Sequence, residues 1–355
     1  MSSDTHDGHP WDEPGFEYRS TSTPEELAER LLGASSVLIL THQKPDGDAL
    51  GSCLGMQRGL RQKGVSSRIL LAGPIDPNLL RVVGDDDRVE RLEQEGLPGD
   101  DQDLIVVLDT GAWVQLDQLG PWLRDQDVPI VGIDHHARGG SVAEARLVET
   151  SAASATQVVL KVLDAMSVDI ASDDIADALF LGLATDTGWF RFSSAGPEVY
   201  RVAATLMDAG ARKDEIYSLT EQNATPARLA MLGRALGSLR FIANGVVGMM
   251  TLTLEDFAAT GANMEELAGI VNQPLDIGSL RASVLLTETE SGVTKLSFRS
   301  KPAEGDHLVV DVNELAARFG GGGHVHASGA RVDAPLPEVV SRIEAAVEKV
   351  LEPSG

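Results

Sequence analysis

The sequence predicts an α/β protein: an N-terminal, mostly parallel sheet flanked by helices, joined by a helical linker to a smaller α+β C-terminal domain. Three observations carry this expectation. Short apolar runs alternate with amphipathic stretches from about residue 23 to 210. The texture changes near residue 240, where strand-like runs and shorter helical patterns follow one another. His and Asp residues stand at the ends of the first apolar runs, the rim that lines the ligand crevice of an open α/β sheet.

Residues 1–22 are polar, contain Pro and Gly and show no periodicity, so a disordered tail is expected there, with His6 and His9 outside any site. Thr23 followed by Glu26 has the pattern of a capping box and opens the first helix. A strand is expected at 36–41 and a helix at 48–63, ended by Gly64. Ser67 to Leu71, 104–108 and 129–133 read as further strands. Ala155 to Met166, Asp173 to Ala184 and Glu198 to Ala209 carry apolar residues at three-to-four spacing and read as helices. The expected domains are therefore 23–210 and 239–355, with a helical linker over 211–238. In the second domain, Val246 to Leu254, Ala282 to Thr287 and Thr294 to Ser300 read as strands, and 263–271, 311–318 and 337–351 as helices.

Composition narrows the function. The formal net charge of −25 repels long polyanions and offers no basic groove for duplex DNA. A short phosphorylated substrate held by cations and a few Arg residues remains compatible, because ligand carboxylates count in that total. The single cysteine, Cys53, excludes an intramolecular disulfide and reads as a small buried residue. No apolar run spans a membrane and no signal-peptide pattern opens the chain, so a cytoplasmic protein is expected.

His42, Asp46 and Asp48 occupy the turn after the first strand. Asp46 and Asp48 flank Gly47 and can face different metal ions, with His42 completing the first. Asp109 ends the strand Ile105 to Leu108 and can bridge two ions. His135 can bind the second ion, and Asp186 can be its last ligand. Asp134 can instead orient a neighbouring imidazole. Mixed His/Asp sets suit Mn²⁺, with Co²⁺, Mg²⁺, Fe²⁺ or Zn²⁺ as alternatives. Two such ions clamp a phosphoryl group and generate hydroxide near neutral pH. His136 is then free to act on the substrate or as general acid.

The run Gly320-Gly321-Gly322-Gly323-His324 lets backbone N–H groups turn toward an anion, with His324 adding a donor. Arg299, after a strand pattern, can clamp a phosphate, and Lys301 can assist. Glu288 can pair with Arg299 or with a nucleoside hydroxyl. Arg191 is a further candidate contact for phosphate or base, while Trp189 and Phe190 read better as packing residues than as a stacking platform.

These stretches together resemble the DHH phosphoesterase superfamily. The resemblance rests on His42-x-x-Pro45-Asp46-Gly47-Asp48-Ala49-x-Gly51-Ser52, then Asp109-Thr110-Gly111, Asp134-His135-His136 and Thr185-Asp186-Thr187-Gly188. The segment from Gly320 to Gly329 looks like the signature of the DHH-associated domain of RecJ-like nucleases. Within the superfamily the chain is most similar to the NrnA-type branch of bifunctional oligoribonucleases (nanoRNases) and pAp phosphatases. The resemblance implies a binuclear Mn²⁺ centre. His42, Asp46 and Asp109 would hold one ion, and Asp48, Asp109, His135 and Asp186 the other. It implies that His136 contacts the substrate phosphate or protonates the leaving group, and that Gly322, Gly323, His324 and Arg299 hold substrate across a cleft between domains. Implied substrates are short single-stranded RNA, dinucleotides or pAp, and many members form homodimers. Pyrophosphatases and exopolyphosphatases of the superfamily share the first four motifs but resemble a different C-terminal domain. A non-catalytic nucleotide sensor would be expected to have lost a ligand position.

Overall fold

The computed structural model describes residues 16–302 and 310–351; residues 1–15, with His6 and His9, lie outside them. The chain divides into two compact units, Met1–Asn223 and Ala224–Gly355. Their border falls within the stretch expected as a helical linker. The helical pattern of that stretch is interrupted at Asn223, so its first helix belongs to the first unit and its second to the other.

The first unit runs α1 (Pro24–Gly33), β1 (Ser36–Leu40), α2 (Gly47–Gln62), β2 (Ser66–Leu71), β3 (Val89–Arg91), α3 (Leu92–Glu95), β4 (Leu104–Leu108), α4 (Leu119–Arg124), β5 (Ile130–Asp134), β6 (Ala145–Val148), α5 (Ala155–Ala165), α6 (Ile175–Asp186), α7 (Pro197–Asp208) and α8 (Lys213–Glu221). Thr23 caps α1 through the expected box, with Glu26 returning a hydrogen bond to the Thr23 amide at 3.0 Å. The sheet is parallel throughout, in the order β3-β2-β1-β4-β5-β6. Val37 and Ile39 of β1 face one apolar core, and Leu38 and Leu40 the other. Burial on both faces explains why the strands read as unbroken apolar runs rather than alternating ones. The strand order reverses between β1 and β4, the place where such sheets open a crevice at their carboxyl ends.

The expected disordered tail is corrected for residues 16–22. Ser20 exchanges hydrogen bonds with the Val148 main chain at 2.8 and 2.9 Å, and the Thr21 and Ser22 amides donate to Arg146 O. The segment runs beside the edge strand β6, satisfying groups that would otherwise be open.

The second unit runs α9 (Pro226–Gly237), β7 (Arg240–Ile242), β8 (Val247–Leu252), α10 (Leu254–Thr260), β9 (Ala282–Glu290), β10 (Val293–Ser300), α11 (Val312–Ala317), β11 (Gly322–His324), β12 (Ala327–Val332) and α12 (Leu336–Leu351). Its mixed sheet has the order β11-β12-β10-β9-β8-β7, with only β8 and β9 parallel. Two expectations change here. The helix expected at 263–271 is two 3₁₀ turns, Glu265–Leu267 and Ile270–Asp276, because left-handed Gly269 separates them and Pro274 lacks a donor. The glycine-rich loop is a hairpin strand: a Cβ at Gly323, whose φ is 149°, would come within 2.5 Å of Ala327 O. Close backbone approach, besides any anion binding, therefore demands glycine there.

Among the described residues no helix is long and apolar enough to cross a membrane. Cys53 is fully buried, as expected, and burial pushes its thiol pKa upward.

Candidate metal centre

The loop after β1 delivers three side chains. Asp46 caps α2, its Oδ1 accepting from the Asp48 and Ala49 amides at 3.0 and 3.1 Å. That bond occupies one oxygen and leaves the other for a second partner. Asp48 is buried, and its two oxygens accept from the Ala155 and Thr156 amides at 2.6 and 3.0 Å. Those amides open α5, where the helix terminus favours an anion. His42 lies on the same loop, half-buried.

Asp109 follows β4 in the left-handed region, with φ of 60°. That conformation is uncommon outside glycine and marks a carboxylate held by its surroundings. Its Oδ2 lies 3.4 Å from His42 Nε2 and its Oδ1 lies 3.5 Å from His135 Nε2. His135 Nε2 also lies 3.6 Å from Asp186 Oδ2 and 3.8 Å from Asp48 Oδ2.

Three sets of donor atoms gather so that all members of a set lie within 4.8 Å of one another: His42, Asp46 and Asp109; Asp48, His135 and Asp186; Asp109, His135 and His136. Donors about 2.1 Å from a shared ion sit roughly 3.0–3.5 Å apart. The closest separations here have that size rather than the length of a hydrogen bond. Buried Asp109 Oδ1 has no hydrogen-bond partner, so the residues fit a divalent cation.

The electrostatics agree. Burial, then the charges of Asp109 and Asp186, push Asp48 well above the ordinary carboxylate range. Burial, partly offset by His135, brings Asp186 up to about 6, with Asp109 and Asp46 adding to the rise. Burial alone would raise Asp109, but the facing His135 and His42 imidazoles hold it low. Burial works against the charge on His135, yet Asp109, Asp48 and Asp186 bring it up to about 9. Protons here satisfy a surplus of negative charge that bound cations would also satisfy.

Asp134 stands behind this rim, 1% exposed. Its Oδ1 accepts from the His135 and His136 amides at 2.7 and 3.1 Å and from His136 Nδ1 at 2.8 Å. The carboxylate thus aims His136, whose pKa it raises.

Arg191 is exposed, and its Nε donates to Gly188 O at 2.7 Å. Trp189 and Phe190 pack on the first core, Trp189 edge-on to Tyr217, as the packing reading expected. In the second unit, Arg299 lines a cavity of about 270 Å³ with Lys295, Ser297 and Thr287, its Nη1 donating to Phe298 O. Gly322 and His324 lie on β11, and Gly321 just before it. Lys301 donates to Ile277 O at 2.9 Å. Glu288, for which Arg299 and a nucleoside hydroxyl were both open as partners, pairs in register with Thr294 and accepts from the Leu254 amide at 3.2 Å.

One contact was not expected from the sequence: Tyr18 donates its phenol to Asp134 Oδ2 at 2.6 Å. The available signal was the aromatics of the otherwise polar N-terminal stretch, Trp11, Phe16 and Tyr18.

The chain is similar to known proteins along most of its length. A model described as the DHH family, N-terminal domain, matches residues 36–183, and one described as the DHHA1 domain matches 246–352. The bifunctional oligoribonuclease and PAP phosphatase NrnA of Thermus thermophilus is 30% identical over 324 residues, 90% of this chain and 91% of that protein. Its Bacillus subtilis namesake is 26% identical, over 86% of this chain and 92% of that protein. An exopolyphosphatase-related protein from Bacteroides fragilis has a TM-score of 0.79 at 26% identity, covering 92% of this chain and 96% of that one. Manganese-bound exonuclease RecJ, 16% identical with a TM-score of 0.50 over 92% of this chain and 94% of that one, shares the fold. Both domains occur in order, and the Thermus relative is similar along nine tenths of its length: this chain belongs to the DHH family and has the DHH–DHHA1 architecture.

Proposed function

We propose that this phosphoric ester hydrolase cleaves short oligoribonucleotides and linear dinucleotides to mononucleotides and converts pAp to AMP. The observation that carries the reading is Asp109, one strained carboxylate facing His42 with one oxygen and His135 with the other. A shared ligand of this kind supports a pair of divalent ions, with His42, Asp46 and Asp109 around one and Asp48, Asp109, His135 and Asp186 around the other. The mixed oxygen and imidazole donors favour Mn²⁺, with Co²⁺, Mg²⁺, Fe²⁺ or Zn²⁺ as alternatives. When bound, such a pair neutralises phosphoryl charge and activates water.

The chain's own residues supply the rest. His136 keeps its Nδ1 proton in the hydrogen bond to Asp134 and gives a second proton, on Nε2, to the departing oxygen. Arg299, His324 and the Gly321 to Gly323 backbone bind substrate phosphate, and Arg191 is a further contact. The net charge of −25 supports short substrates over long polyanions. The names of the Thermus and Bacillus relatives support the same two activities.

A panel of dinucleotide, 5-mer RNA, longer RNA, pAp and pyrophosphate, run with Mn²⁺, Mg²⁺ and Co²⁺, tests this. Turnover should be highest on the dinucleotide and pAp with Mn²⁺. Pyrophosphate turnover exceeding both would overturn the reading.

A further inference from the structure

We propose that Tyr18 is a positioning residue for hydrolysis: its phenol, seated between the Gly111 and Gly139 backbones, locks the Asp134 carboxylate that aims His136. The inference rests on the reading of His136 as proton donor. Three observations lead to it.

The first is connectivity. Asp134 Oδ2 accepts from Tyr18 at 2.6 Å while Oδ1 accepts from His136 Nδ1 at 2.8 Å. One buried carboxylate thus joins a phenol to the imidazole. Without the phenol, Oδ2 loses its donor at a site 1% exposed, and the carboxylate must turn or admit water.

The second is the slot. A Cβ at Gly139 would come within 2.6 Å of the Tyr18 ring, and one at Gly111 would run into the phenol itself. Gly111 lies in the loop that begins at Asp109, and the Gly140 amide donates to Gly111 O at 2.8 Å. Both glycine backbones therefore leave room for one aromatic ring beside the metal rim.

The third is the anchor. Arg146 Nε donates to Arg19 O at 2.9 Å, and its guanidinium lies 4.8 Å from the Phe16 ring centroid. Together with the Ser20 and Thr21 bonds to Val148, Glu144 and Arg146, this ties the chain on both sides of Tyr18. A polar stretch without apolar periodicity needs such ties to offset its lost entropy.

The chemistry follows. A phenol donating to Oδ2 fixes the plane of the Asp134 carboxylate, and with it the direction in which Oδ1 holds His136 Nδ1. With Nδ1 so held, the His136 ring keeps one orientation toward the leaving oxygen. Burial and the Asp134 charge drive the Tyr18 pKa far upward, so the phenol remains a donor.

The test uses the full chain with Mn²⁺. Tyr18→Phe keeps the ring in its slot and removes only the hydroxyl. Expected is a fall in kcat of about tenfold on a dinucleotide, with KM and Mn²⁺ content within twofold. On a 4-nitrophenyl ester of a nucleoside phosphate, whose leaving group needs no proton, the loss should shrink to less than about threefold. Gly139→Ala, which displaces the ring, should reproduce this pattern. His136→Ala is measured alongside. If it shows the leaving-group dependence and Tyr18→Phe does not, the Tyr18 inference falls alone. Equal losses on both esters, or a lower melting temperature with unchanged kcat, would mean a purely structural Tyr18. If His136→Ala is itself indifferent to the leaving group, the proton-donor reading fails and Tyr18 falls with it.

Discussion

Asp109 offers Oδ2 to His42 at 3.4 Å, and its other oxygen faces the imidazole of a different strand's loop. Among the described residues, no other carboxylate belongs to two of the ligand sets. Asp109→Asn tolerates the left-handed backbone yet removes the charge. It should abolish the rise in melting temperature produced by Mn²⁺ and lower kcat more than about a hundredfold. Calorimetric titration with Mn²⁺ checks the loss of both ions together.

His136 sits with Asp134 on one side and the rim on the other. His136→Ala should slow kcat roughly 10²–10⁴-fold while leaving Mn²⁺ stoichiometry unchanged. Metal analysis of the purified variant decides this, and a loss of metal equal to that in Asp109→Asn would refute the division of roles.

Arg299 lies in the second unit beside Lys295 and Ser297. If it holds ground state and transition state equally, Arg299→Ala should raise KM about tenfold with kcat nearly unchanged. Steady-state kinetics on a dinucleotide separates this from a fall in kcat.

His135 gives a pH signature. Its pKa in the folded, metal-free protein is raised to about 9 from the usual 6.5, so the unfolded chain loses the proton first. The stability it contributes is present below pH 6.5 and disappears as pH climbs through about 9. The metal-free protein should therefore lose roughly 5 °C of melting temperature between pH 6.5 and 9. Metal binding needs the neutral ring, so the stabilisation by Mn²⁺ should grow over the same interval. Thermal melts with and without Mn²⁺ across that range measure both trends.

The sequence made the parallel sheet legible because β1, β4 and β5 are buried on both faces and read as apolar runs. It did not reveal β3 or β6: Val89–Arg91 is a half-buried edge of three residues, and Ala145–Val148 is short and carries Arg146. The ligand candidates were legible because His42, Asp46, Asp109, Asp134 and His135 each follow a strand or end one. Tyr18 was not, since its order comes from Arg146, Gly111 and Gly139, far away in the chain. The glycine run was legible as a special backbone, but its reason lay partly in a partner strand that composition does not show.

Asp46 and Asp48 are each tied to backbone amides before any cation arrives, one at the start of α2 and the other at the start of α5. Carboxylates braced in this way have little freedom to swing or to bind through both oxygens. A rigid cage of that type penalises large ions such as Ca²⁺, which ask for many adaptable oxygens, and rewards smaller ones content with fixed corners. The same two aspartates that hold the helices would thereby act as a gauge of ionic radius.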